Sequence, residues 1–237
     1  MERRRRTALR LAGLLACATV PALVLTGCSS GSGSGKDSAG TSPSGSASTA
    51  GSTTASPTLA PVKYRTLPNA CTTVTKSSVT ALVPKAKDSR GTATATSEMQ
   101  SRGGCSWTGN GSDGYQYRWL SVTLQRFDSD PQLGSGEEQA TKRYTEQVGT
   151  LSAVKGFTAS ASTGLGDQAT SVVGKATVAH ITSQNDTVVA RSGNVVVIVE
   201  YNGAGLEDKK NPSASTIASG AQRAAKDVVA AVAAANA

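Results

Sequence analysis

The sequence predicts an α+β domain, an antiparallel sheet of about five strands packed with three helices in the order α-β-β-α-β-β-β-α. Three observations point there. Two segments carry apolar residues at helical spacing, the stretch "YQYRWLSVTLQRF" alternates with the period of a strand, and "VVVIV" is apolar on both parities. Helical and extended periods that follow one another in blocks predict helices layered on an antiparallel sheet.

Taken in order, Lys76 to Lys85 reads as a short helix, with Val79, Leu82 and Val83 on one face and Pro84 near its end. "GGCSWTG" then reads as a strand, "NGSDG" as a turn, and "YQYRWLSVTLQRF" as a long strand with Leu120, Val122 and Leu124 on its buried face, the two strands forming a hairpin. The segment "GEEQATKRYTEQVGTLS" sets Ala140, Tyr144, Val148 and Leu151 at helical spacing, and its two leading acids suit the positive end of a helix dipole. A glycine-rich connector leads to three strands, Ala176 to Thr182, Thr187 to Arg191 and Asn194 to Tyr201, paired as a meander through "SQND" and "RSGN". The last of them holds "VVVIV" and is expected at the centre, covered on both faces. Pro212 to Ala235 closes the chain as an amphipathic helix with Ile217, Ala221, Ala224, Val228 and Val232 in its apolar stripe.

Ahead of this domain, residues 1–27 read as an export signal, residues 28–63 as a tether, and residues 64–237 as one extracytoplasmic domain. Arg3 to Arg6 and Arg10 precede an uncharged apolar stretch from Leu11 to Leu25, the layout of a signal peptide. That stretch is shorter than the ~20 residues a membrane span needs, and Pro21 interrupts it. Leu25-Thr26-Gly27-Cys28 looks like the lipobox of bacterial lipoproteins, in which cleavage precedes a cysteine whose thiol carries a diacylglycerol. The partner implied is a membrane, through an anchor on Cys28. The Ser/Gly/Thr/Pro-rich stretch beyond it has nothing to bury, so it reads as a flexible leash with a coil reach of roughly 30 Å.

The formal net charge of +8 is partly targeting. Cleavage before Cys28 removes five arginines and Glu2, which takes 24 basic and 16 acidic residues to 19 and 15. The remaining +4 gives no argument for a nucleic-acid partner. Of four cysteines, Cys17 leaves with the signal and Cys28 is the acyl acceptor, so Cys71 and Cys105 are expected to pair as a disulfide in an oxidising compartment. The rival reading, a metal pair, lacks any neighbouring His or acidic cluster.

No catalytic or cofactor constellation emerges. "GLGDQA" at 164–169 matches a dinucleotide fingerprint but leads into "TSVVGKATV" rather than a helix, so it reads as a glycine turn into a strand. His180 is the single histidine, sits within an expected strand, and has no G-x-S-x-G elbow to serve. Glu137-Glu138 and Glu207-Asp208 are the adjacent acid pairs on which a carboxylate-based hydrolase would depend; their places at a helix start and in a loop suggest solvated charges. Tyr115, Tyr117 and Trp119 are more informative. Alternation sends Tyr117 and Trp119 to the face opposite Leu120, Val122 and Leu124. Beneath a helix they are core, which is the expectation; left uncovered they form a stacking platform for a ligand or partner.

The lipobox, the leash, "NACTTV" before a helix, "GGCSW" before a long strand, "GLGDQA", and "RSGNVVVIVEYNG" before a terminal helix together resemble a family of actinobacterial lipoproteins of unknown function, marked by a Cys and Gly-x-Cys-x-Trp pattern. The same pattern is similar to the extracellular sensor domains of some mycobacterial serine/threonine kinases. The resemblance spans about residues 66–235 and implies a cell-envelope lipoprotein with paired cysteines; it brings no activity and no catalytic residues. Pro68-Asn69-Ala70-Cys71 stands where the family often has Asp-Pro-Cys. The expected function is a lipid-anchored, non-catalytic domain on the extracytoplasmic face that binds an envelope protein or small ligand, without metal or cofactor. The alternatives are a carboxylate-based cell-wall hydrolase and a sensor or accessory partner of an envelope kinase.

The anchor is tested at its thiol. Cys28→Ser is expected to accumulate as an uncut, unacylated precursor on mass analysis; normal processing and membrane partition of that variant would contradict the anchor.

Overall fold

The structure, a computed structural model, describes residues 59–207 and 209–237, so Cys28, the signal segment and most of the tether lie outside the described residues. In chain order the elements are α1 (Lys76–Leu82), β1 (Lys85–Ala86), β2 (Thr92–Ala93), β3 (Arg102–Asn110), β4 (Gln116–Arg126), α2 (Gly136–Ser152), β5 (Phe157–Ala161), β6 (Gln168–Val178), β7 (Ile181–Ser192), β8 (Val195–Gly205) and α3 (Ala214–Ala234), with a 3-10 turn at Ala70–Thr72. The class is α+β with three helices, as expected. The sheet has eight strands rather than about five, all antiparallel, in the order β1-β3-β4-β8-β7-β6-β5 with β2 also paired to β3.

Local chemistry explains the elements that were legible. Ser135 caps α2 by accepting from Glu138 N, and Glu138 Oε2 accepts in return from Ser135 N at 2.8 Å, a reciprocal capping box. Ser213 caps α3 in the same way at Thr216 N, 3.0 Å. At the end of α1 the residue before Pro84 is biased away from helical geometry, so Val83 takes φ −129° and ψ 68°. The helix therefore stops at Leu82, and Lys85 belongs to β1 instead.

Two expectations fail for identifiable reasons. The connector after α2 contains β5 and the first half of β6, whose Ser, Thr and Ala-rich residues lack a clear strand period. "SQND" lies inside β7, and the reversal between β6 and β7 falls at Ala179 and His180, with φ of 47° and 67°. Two positive φ values are what a tight type I′ hairpin requires, and the usual Asn-Gly signal is missing here. His180 is thus an exposed turn residue, not a strand residue.

The core is organised around β8, which lies between β4 and β7. Val195, Val197, Val199 and Tyr201 face one layer with Leu120, Leu124, Trp107 and the α3 stripe of Ile217, Ala221, Ala224, Val228 and Val232. Val196 and Ile198 face the other way, against Ala140, Val189, Phe127, Tyr144, Val148 and Leu151. Gly220 lets α3 come close to the sheet: a Cβ there would stand 2.7 Å from Tyr201 Cδ1 and 3.0 Å from Leu82 Cδ2. Tyr201 in turn donates to Leu82 O at 2.7 Å, tying α1 to β8. Asp227 on α3 accepts from Thr75 N at 3.0 Å and Thr75 Oγ1 at 2.8 Å, which holds the start of α1.

Cys71 and Cys105 form a disulfide that fastens the 3-10 turn to β3. In the entropy model a loop of this length constrains the unfolded chain by about 4 kcal/mol. Beside it Trp107 is buried and donates from Nε1 to Ser89 O at 3.3 Å. Gly91, at φ +78°, passes so close that a Cβ would overlap both Cys105 Sγ and the indole. Among the polar groups buried on the α3 side of the sheet, Asp186 accepts from Ser171 Oγ at 2.8 Å, while its Oδ2 has no partner. Burial pushes this carboxyl up to about 6, with the Ser171 bond opposing the shift.

Candidate functional site

The two helices cover the two faces of the sheet unequally. α3 packs on β6, β7 and β8, while α2 packs on β5 to β8 and meets β4 near its end, where Arg143 Nε donates to Gln125 Oε1 at 2.8 Å. The register pairs Gln125 with Val196 and Trp119 with Asn202, so Trp119 stands six residues up the strand from the α2 contact. Trp119 is 41% exposed and Tyr115 51% exposed. The expectation that Trp119 is core is therefore corrected: the covering helix is too far along the sheet to reach it.

Around Trp119 the sheet presents a surface of aromatic, amide and hydroxyl groups. Across the ladder Trp119 is opposite Thr108 on β3 and Asn202 on β8, and Tyr117 is opposite Asn110 and Ala204. Directly opposed side chains in such a ladder have Cβ atoms about 5 Å apart, so these residues share one patch. Ser121 Oγ donates to Glu200 Oε2 at 3.0 Å on the same face. Tyr117 is half-buried, and burial raises its hydroxyl above the ordinary value. Tyr115, just before β4, lies under Lys209, whose Nζ is 5.1 Å from the ring centroid. By strand parity Val178 and Ile181, 74% and 59% exposed, point to the same side at the tip of the β6–β7 hairpin. Four of the seven exposed large apolar residues among the described residues, Tyr115, Trp119, Val178 and Ile181, thus belong to this side of the sheet.

The other singled-out residues go elsewhere. Glu137 Oε1 accepts from Arg191 Nη1 at 3.0 Å, and Glu138 is spent on the capping box, whose hydrogen bonds from Ser135 hold it below its usual value. A general acid needs the opposite shift. Glu207 is exposed at φ 49°, and its neighbour Asp208 is outside the described residues. "GLGDQA" is a loop between β5 and β6 with Gly164 and Gly166 at positive φ, a glycine turn into a strand as read from the sequence. Among the described residues no group of three or more His, Cys, Asp or Glu is placed to hold a metal ion, and no helix is long and apolar enough to cross a membrane. Arg118, adjacent in sequence to the aromatics, points through the opposite face, as strand alternation requires.

Residues 23–231 match the model of the family described as Protein of unknown function (DUF3558). The chain belongs to that family. No curated protein matches it. Among solved structures, LpqN, involved in cell envelope biogenesis of Mycobacterium tuberculosis, aligns over 52% of this chain and 68% of its own at 21% identity, with a TM-score of 0.29. A likeness of that size carries no argument for fold or function.

The two tryptophans separate platform from core. Trp107→Ala is expected to cost roughly 3 to 5 kcal/mol in denaturant unfolding through the void it leaves, and Trp119→Ala about 1 kcal/mol or less. Equal losses from the two would place Trp119 in the core.

Proposed function

We propose that this member of the DUF3558 family is a lipid-anchored protein of the extracytoplasmic membrane face whose domain works by binding rather than by catalysis, through the open sheet face around Trp119. The observation that carries the reading is an exposed indole within a well-packed sheet, flanked by Thr108, Asn202 and Tyr117 and left uncovered by α2. A rigid ladder fixes these side chains, so binding there loses little conformational entropy, and aromatic anchors dominate interface energetics. The location rests on the sequence: a signal over residues 1–27 and an anchor at Cys28 would put the domain where it could meet an envelope protein or a small envelope ligand. The non-catalytic reading is favoured by the commitments of Glu137 and Glu138, whose carboxylates are taken by Arg191 and by the α2 cap.

Site-specific photocrosslinking in producing cells tests this. A photoreactive residue at Tyr117 is expected to give a discrete adduct, and the same residue at Lys226, on the exposed side of α3, is expected to give none. No adduct at Tyr117, or the same adducts at both positions, would contradict the platform.

A further inference from the structure

Three arginines are buried among the described residues: Arg118, Arg126 and Arg191. Two have carboxylate partners. Arg126 pairs with Asp128, and Arg191 with Glu137 at 3.0 Å and Asp167 at 3.4 Å. Arg118, only 8% exposed, forms no ion pair with any described residue. Its Nη2 donates to Gln116 Oε1 at 2.6 Å and its Nη1 to Tyr117 O at 3.3 Å, so neutral oxygens orient the guanidinium. Asp113, in the neighbouring turn, accepts from Tyr115 N at 3.0 Å and makes no ion pair with Arg118. A buried guanidinium with no ion-pair partner among the described residues is costly to keep, and such a group suits an anion that arrives from outside.

The surroundings supply the rest of such a site. Arg118 lines a cleft of about 500 Å³ between the end of α1, the β3–β4 turn and the first half of α3. A second guanidinium, Arg223, enters from α3; its Nε donates to Ser78 Oγ at 2.9 Å, and this bond fixes its position. The residues Ser112, Thr216 and Ser219 add hydroxyls to the lining. Two guanidinium forks with hydroxyl donors match the several lone pairs of an oxyanion better than a single-point ligand, and the volume exceeds what a bare ion fills. We propose that this cleft, on the sheet face opposite Trp119, is a binding site for the oxyanion group, phosphate or carboxylate, of a small ligand. The site stands independently of the Trp119 platform, since the two share no side chain.

The test uses the full chain in detergent, with inorganic phosphate and acetate as separate probes and sodium chloride at matched ionic strength as the reference. Phosphate or acetate is expected to raise the thermal midpoint above the chloride reference, and calorimetric titration to show one site per chain. Arg118→Gln and Arg223→Gln are each expected to weaken that binding at least tenfold, while Lys142→Gln on α2 leaves it unchanged. Arg223 is exposed, so its variant decides the matter even if Arg118→Gln fails to fold. An effect from phosphate alone assigns the site to phosphate-bearing ligands, and one from acetate alone to carboxylates. No effect beyond chloride from either anion, or binding undiminished in Arg223→Gln, would overturn the proposal.

Discussion

Burying one strand on both faces is the constraint from which the rest of the architecture follows. Val195 to Val199 are all buried, with alternate residues assigned to opposite layers. A strand of this kind is stable only when it is central in the sheet and has an apolar cover on each side. The sequence supplies two long helices for that purpose, and they are not equivalent. α3 carries seven buried residues along 21 positions, while α2 buries Ala140 and packs Tyr144, Val148 and Leu151 as a partly buried fringe. The α3 layer is therefore a continuous core. The α2 layer ends partway along the sheet, and the upper half of β4 and β8 on that side stays open.

That inequality separates the two faces chemically. On the open side, residues that a second helix would have covered are Tyr117, Trp119, Ser121, Asn202 and Glu200, a mixture suited to contact with something other than the protein's own core. On the α3 side the layer is largely apolar around β8, while Asp186 on β7 keeps one oxygen unpaired and Arg118 opens into the cleft beside Arg223. Gly220 connects these features: the close approach it permits seats Tyr201 against α3, and Tyr201 forms part of the cleft wall.

What the sequence made legible was whatever followed from short-range chemistry. The bounds of α2 were readable because Glu137 and Glu138 announce its start and the apolar spacing carries through to Leu151. The β3–β4 hairpin was readable from the Gly and Asp turn and the alternation of Leu120, Val122 and Leu124. β1 and β2, two residues each, exist because Gly109 and the neighbouring edge of β3 accept them, and two residues carry no period. The Ala179-His180 reversal uses residues without turn propensity, held by a long ladder on either side. Whether Trp119 was core or platform depended on how far α2 extends over the sheet, a tertiary fact outside the reach of any local pattern. Arg118 was passed over for a related reason: in sequence it belongs with the aromatics, and only its parity sends it to the other face, where Arg223 arrives from a helix about a hundred residues later.

If the open face binds a partner, it is free in the isolated protein and occupied in producing cells. Hydroxyl-radical footprinting read at each tryptophan by mass spectrometry measures this directly, with Trp107 as an internal buried reference. Trp119 is expected to oxidise readily in the purified chain and to be protected several-fold in producing cells, while Trp107 stays protected in both. Equal oxidation of Trp119 in the two settings would show that nothing occupies the face, and protection of Trp119 in the purified chain would show that the face is not open.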